Sequence, residues 1–211
     1  MEANQRTRLV VALAIAALFS SAGFFAARTA EAHEAHHGHH AAAAGRASDP
    51  QKLGAVKVPP VRLVRQDGRQ VALGEELDTH GPVLLAFIYT SCTAVCPVTS
   101  QVLAKVQEKL GENRDGVRII SVSIDPDFDT PARLRDYAKT FGAGPAWQHY
   151  TGSRRDSVAV QKAFRAYYGD KMNHQPALFV RQAHSDQWSR IDGFPAADMV
   201  VGELGSGRLS R

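Results

Sequence analysis

An α/β domain is expected from three features of this 211-residue chain. Continuous, β-rich apolar runs at 82–89 and 117–124 suit strands covered on both faces. Segments with helical apolar spacing follow them, as at Val98, Val102, Leu103, Val106 and Leu110. The composition, 44% hydrophobic and 22% charged, is that of a globular protein and argues against disorder over most of the length.

Residues 61–65 and 70–73 flank Gln66-Asp67-Gly68-Arg69, and Asp-Gly between two β-rich runs is a hairpin signal. The strand at 82–89 leads straight into Cys92 and Cys96, and a helix over 97–110 ends at Gly111. A second buried strand occupies 117–124. Asp129-Thr130-Pro131 reads as the start of a helix running to about Phe141, with Asp129 as its cap and a proline in its first turn. A short strand at Trp147–Thr151 precedes a helix over 153–168. Ala177–Arg181 and 188–191 form a late hairpin around Ser185-Asp186, and 194–204 closes the domain as a helix. Strand, CxxxC turn, helix, strand, helix, hairpin and helix is the order of a thioredoxin-like α/β fold, here with an N-terminal β-hairpin and an added late β-hairpin.

The first 32 residues read as a targeting segment. Arg6 and Arg8 precede an apolar stretch at 9–27, and Ala30-Glu31-Ala32 places small residues where a signal peptidase reads. The stretch is also near the length that crosses a bilayer, so a cleaved signal and a retained anchor both stand. In either case the rest of the chain lies outside the cytoplasm, in the periplasm or on the outer face of the inner membrane. Residues 33–56 are expected to be a flexible His/Ala-rich leader carrying His33, His36, His37, His39 and His40. Such a tract either collects late transition metals loosely or is a solvated linker of biased composition. The domain is expected over 57–204, with 205–211 a frayed tail. A net charge of +4 with no run of basic residues argues against nucleic acid as a partner.

Cys92 and Cys96 are the only cysteines, which excludes a disulfide-stapled scaffold. They lie past the end of the central strand, at the opening of a helix, where ligand sites of open α/β sheets gather. Free N–H groups and the helix dipole lower a thiol pKa there. A four-residue spacing suits either a disulfide or the grip of one metal ion, and two soft thiolates favour Cu(I) or Zn(II) over hard cations. A plain structural disulfide remains the bland alternative. The only other soft donors are three methionines. A third ligand has to come from elsewhere, and His174, just before the strand Ala177–Arg181, is the best placed. His80, His149 and His184 are weaker candidates, each suited to a structural or solvated role.

Residues 87–97, FIYTSCTAVCP, closely resemble the signature of the SCO/SenC family of copper-binding, thioredoxin-like proteins. The resemblance continues in SVSIDPDFDTP at 121–131 and WQHYTG at 147–152, and extends over about 58–204. It implies a copper site made by Cys92, Cys96 and His174, and a chaperone that delivers copper to, or reduces the cysteines of, the binuclear copper site of a respiratory oxidase. The partner implied is the copper-site subunit of that oxidase or another copper acceptor. One departure is Asn173-His174-Gln175, where the family often reads Asp-His-Ser; the missing carboxylate bears on how the imidazole is oriented. The rival reading is an extracytoplasmic thiol-disulfide oxidoreductase with Cys92 and Cys96 as its thiol redox pair, against which the four-residue spacing counts, since such enzymes use CxxC. Asp125 and Asp129 lie near the expected site, as functional carboxylates or as loop and cap residues.

Overall fold

The computed structural model describes residues 47–111 and 116–205. The expected targeting segment, the histidine tract and residues 206–211 of the expected tail lie outside the described residues. Among those described, no helix is long and apolar enough to cross a membrane.

Eight strands form one sheet: β1 (Gln51–Ala55), β2 (Arg62–Arg65), β3 (Gln70–Ala72), β4 (Val83–Ile88), β5 (Arg118–Ser123), β6 (Trp147–Thr151), β7 (Ala177–Arg181) and β8 (Gln187–Asp192). Their order across the sheet is β1-β8-β7-β4-β5-β6-β2-β3. β4, β5 and β6 run parallel, while β7 lies antiparallel on the other side of β4. The helices are α1 (Leu73–Leu77), α2 (Val95–Leu110), α3 (Pro131–Thr140), α4 (Arg154–Ala163) and α5 (Ala197–Gly205), with a short 3₁₀ turn at Lys171–Asn173. This is the expected thioredoxin-like α/β arrangement, with both hairpins in place.

Alternation along the strands builds two cores. Val83, Leu85 and Phe87 of β4 face one side with Ile120, Val122, Phe164 and Phe179. Leu84 and Ala86 face the other with Ile119, Trp147, Leu103 and Val106 of α2, and Val200 of α5. Each large side chain fully buried this way contributes about 1.5–3 kcal/mol. Every residue of β4 is buried, so its trajectory is fixed on both faces. At its start, Gly81 packs backbone to backbone on Gly116, where an added Cβ would sit 1.9 Å from the Gly116 carbonyl oxygen. β4 therefore delivers its far end, and the cysteine turn after it, to a fixed point.

Three expectations need correction. The leader expected over 33–56 contains strand β1, which pairs antiparallel with β8, and Ser48 extends the pairing through Ser48 N–H to the Asp192 carbonyl at 2.9 Å. The helix expected over 153–168 stops at Ala163, because Arg165 turns left-handed at φ 53°. The Arg165 and Ala166 N–H groups then bond the Lys162 and Gln161 carbonyls and close the helix. The last helix begins at Ala197 rather than 194, since Pro195 disfavours helical backbone at Phe194.

Candidate metal and thiol centre

Three chain ends meet at one edge of the sheet: the ends of parallel β4 and β5 and the start of antiparallel β7. β4 runs through Tyr89 and Thr90 to Cys92. β5 runs through Ile124 to Asp125. His174 stands three residues ahead of β7.

The two cysteines are free thiols packed with Ile88, Tyr89 and Leu134. α2 begins at Val95, two residues earlier than expected, so Cys96 lies within its first turn and Cys92 just ahead of it. The Cys96 N–H points at the Cys92 sulfur, 3.4 Å away. Burial pushes the Cys92 thiol up, but hydrogen bonding, with the Cys96 N–H first, brings it below its ordinary value. Cys96 is almost fully enclosed, and burial raises its thiol far above the ordinary range, with the Cys92 charge adding to the effect. The expected lowering by the helix start thus holds for Cys92 and fails for Cys96, because desolvation outweighs the dipole once the sulfur is inside.

His174 is not a surface histidine; it is 7% exposed. Its Nε2 lies 3.1 Å from the Phe87 carbonyl at the end of β4. A carbonyl only accepts, so Nε2 carries the proton and Nδ1 carries the lone pair. Nδ1 is buried and has no partner. Burial lowers the ring pKa to about 4, leaving it neutral at pH 7. A neutral ring with one N–H given to a backbone carbonyl and the other nitrogen bare is how metal-binding histidines are commonly prepared. Among the described residues, however, no three His, Cys, Asp or Glu side chains converge closely enough to hold an ion, so His174 is not joined to the cysteine pair in this conformation.

The other histidines separate from the site. His149 is fully buried on β6, stacked on Trp147 at 5.2 Å and edge-on to Tyr137, with neither ring nitrogen partnered. Burial lowers its pKa to about 4, and it acts as a packing group. His80 and His184 are exposed, with ring centroids 5.9 Å apart, beyond the opposite end of β4 from the cysteines.

Asp129 was expected to cap α3, but Thr130 does so, its side chain accepting from Arg133 N–H. Asp129 is instead fully buried beneath the cysteine turn. Its carboxylate accepts from Thr90 N–H at 3.1 Å, from the Thr90 hydroxyl at 2.5 Å and from the Ser123 hydroxyl at 2.5 Å. It ties the chain two residues before Cys92 to the end of β5. Asp129→Ala should lower stability by about 2–4 kcal/mol, since charge-assisted bonds are lost and buried donors are left unpaired. Urea unfolding checks this; a loss below about 0.5 kcal/mol would mean that the carboxylate is dispensable.

Asp125 pairs with Lys171, whose ammonium also sits 5.6 Å from the centre of the Tyr89 ring. These contacts pin the 3₁₀ turn carrying Met172 to the cysteine side. Tyr89 and Met172, whose hydroxyl and thioether sulfur lie 4.0 Å apart, were not singled out by sequence reasoning as site residues. A cleft of about 400 Å³ is lined among others by Asp125, Arg154, Gln161, Lys171 and His174. Two thiols of unequal acidity and a bare imidazole nitrogen suit either a soft metal ion or thiol exchange.

The SCO1/SenC family profile matches residues 50–192, over half of the chain. The chain belongs to the SCO1/SenC family. It is 32% identical over 133 residues to a SCO1 protein homolog of Bacillus subtilis, covering 59% of this chain and 67% of that protein. It is 34% identical over 112 residues to the mitochondrial SCO1 homolog 1 of Arabidopsis thaliana, covering 52% of this chain but only 32% of that protein. The fold superimposes on BsSco, a member of the Sco family of cytochrome c oxidase assembly proteins with a disulfide switch, at a TM-score of 0.63 and 27% identity, over 76% of this chain and 98% of that one. It also superimposes on copper-bound ScoI of Arabidopsis thaliana at a TM-score of 0.61 and 25% identity, over 72% and 98% of the two chains.

Proposed function

We propose that this SCO1/SenC protein is a copper metallochaperone that binds one copper ion through Cys92, Cys96 and His174 Nδ1. It passes the ion to the binuclear copper site of a respiratory oxidase, on the outer side of the membrane to which its targeting segment directs it. The observation that carries this reading is the His174 ring, neutral and fixed by the Phe87 carbonyl with its Nδ1 lone pair unpartnered. A buried nitrogen left bare calls for a partner. The similarity of the chain to copper-bound ScoI of Arabidopsis supports copper as that partner.

The donor set fits the ion. Cys92 ionises first and captures cuprous ion; Cys96, held as a thiol by burial, loses its proton as the second sulfur engages. Among the described residues the imidazole is not gathered with the pair, so loading brings His174 onto the sulfurs and release parts them again. A partner's thiolates can enter at that edge and displace the ligands one at a time.

The inequality of the two thiols also supports a second reading, in which Cys92 attacks a disulfide of the oxidase copper site and Cys96 resolves it. The two are separated by turnover. The chaperone reading expects stoichiometric transfer of copper to an apo acceptor with little catalytic reduction of a generic disulfide such as insulin. Turnover at the level of a thioredoxin, without copper affinity, would reverse the assignment.

A further inference from the structure

Four large apolar side chains are exposed among the described residues: Val98, Phe128, Tyr167 and Met172. Met172 stands out at 74% exposure, in a turn that is otherwise well anchored. Its N–H is held by the Asp170 carboxylate at 2.8 Å, and the preceding Lys171 is tied to Asp125. The thioether is therefore presented to solvent by a fixed turn. Its sulfur lies 4.0 Å from the Tyr89 hydroxyl, and the Tyr89 side chain packs in one cluster with Cys92 and Cys96. One aromatic side chain thus joins an exposed soft sulfur to the cluster that holds the cysteine pair. Two residues further on is His174, with its bare Nδ1. Met199, by contrast, packs against the core on α5.

A thioether is neutral and soft. It binds cuprous ion weakly and without giving up a proton, so it can take the ion up and let it go. We propose that Met172 is the receiving ligand of the site: its sulfur takes cuprous ion from a donor at the surface and hands it to Cys92. The inference rests on the copper reading above. The step is ligand exchange at Cu(I). The copper bond to the donor breaks as the bond to Met172 Sδ forms. That bond breaks in turn as the Cys92 thiol gives its proton to solvent and its sulfur takes the ion. No electron moves.

The test uses the full-length chain with ¹³C-methyl methionine, titrated with Cu(I) supplied as its glutathione complex, and Met172→Leu followed in parallel by stopped flow. The Met172 methyl resonance should move on the first additions while that of Met199 stays. Uptake by Met172→Leu should slow roughly tenfold, about 1.4 kcal/mol at the barrier, with the final affinity nearly unchanged. A Met172 methyl that does not move while cuprous-thiolate absorption develops, with uptake by the variant as fast as by the parent, overturns the role of Met172 and leaves the copper reading standing. Absorption that never develops overturns the copper reading itself, and this inference with it.

Discussion

Replacing Cys92 and Cys96 together by serine should abolish stoichiometric Cu(I) binding. Hydroxyls are hard donors that stay protonated at neutral pH, and no other thiolate exists in the chain. The loss should exceed about a thousandfold in affinity, ~4 kcal/mol, measured against a chromophoric Cu(I) competitor. Cu(I) is the ion to measure because the five leader histidines offer only nitrogens and would hold Cu(II) instead. The fold should survive, since a serine hydroxyl is no larger than the thiol that it replaces. The single variants should differ as well. With Cys92 left alone, alkylation at pH 7 should be fast; with Cys96 left alone, slow. A double variant that folds and still binds one cuprous ion tightly would place the site elsewhere.

Much of this centre could be read from the sequence, because its parts are local. The buried run of β4, the CxxxC that follows it and the apolar spacing of α2 are contiguous, and each leaves its own pattern. What escaped depends on partners far along the chain. β1 is short and largely exposed, and its pairing partner β8 lies well over a hundred residues away, so nothing in QKLGA distinguishes it from a leader. Asp129 before Thr130-Pro131 has the local form of a cap. Its actual role comes from Thr90, thirty-nine residues earlier, and from Ser123 at the end of β5. The early end of α4 rests on Arg165 adopting a conformation that glycine usually supplies. The position of His174 was legible from its place before a strand. Its burial, its tautomer and its bare Nδ1 were not, since the tautomer follows from the Phe87 carbonyl on β4, far earlier in the chain.

Whether His174 completes the ligand set begun by the two cysteines is read from the absorption and electron paramagnetic resonance of the Cu(II)-loaded chain, parent against His174→Ala. Two thiolates alone can hold Cu(I) in a nearly linear site, whereas Cu(II) is harder and calls for nitrogen. His174→Ala should therefore lose the Cu(II)–thiolate absorption and the nitrogen coupling attributable to this site, while its Cu(I) affinity falls only about tenfold, ~1.4 kcal/mol. His80→Ala and His184→Ala, altered at the far end of β4, should match the parent in both. Only the His174 variant should lose the Cu(II)–thiolate signal. An unchanged spectrum in His174→Ala would contradict this and return the imidazole to a packing role beside the Phe87 carbonyl.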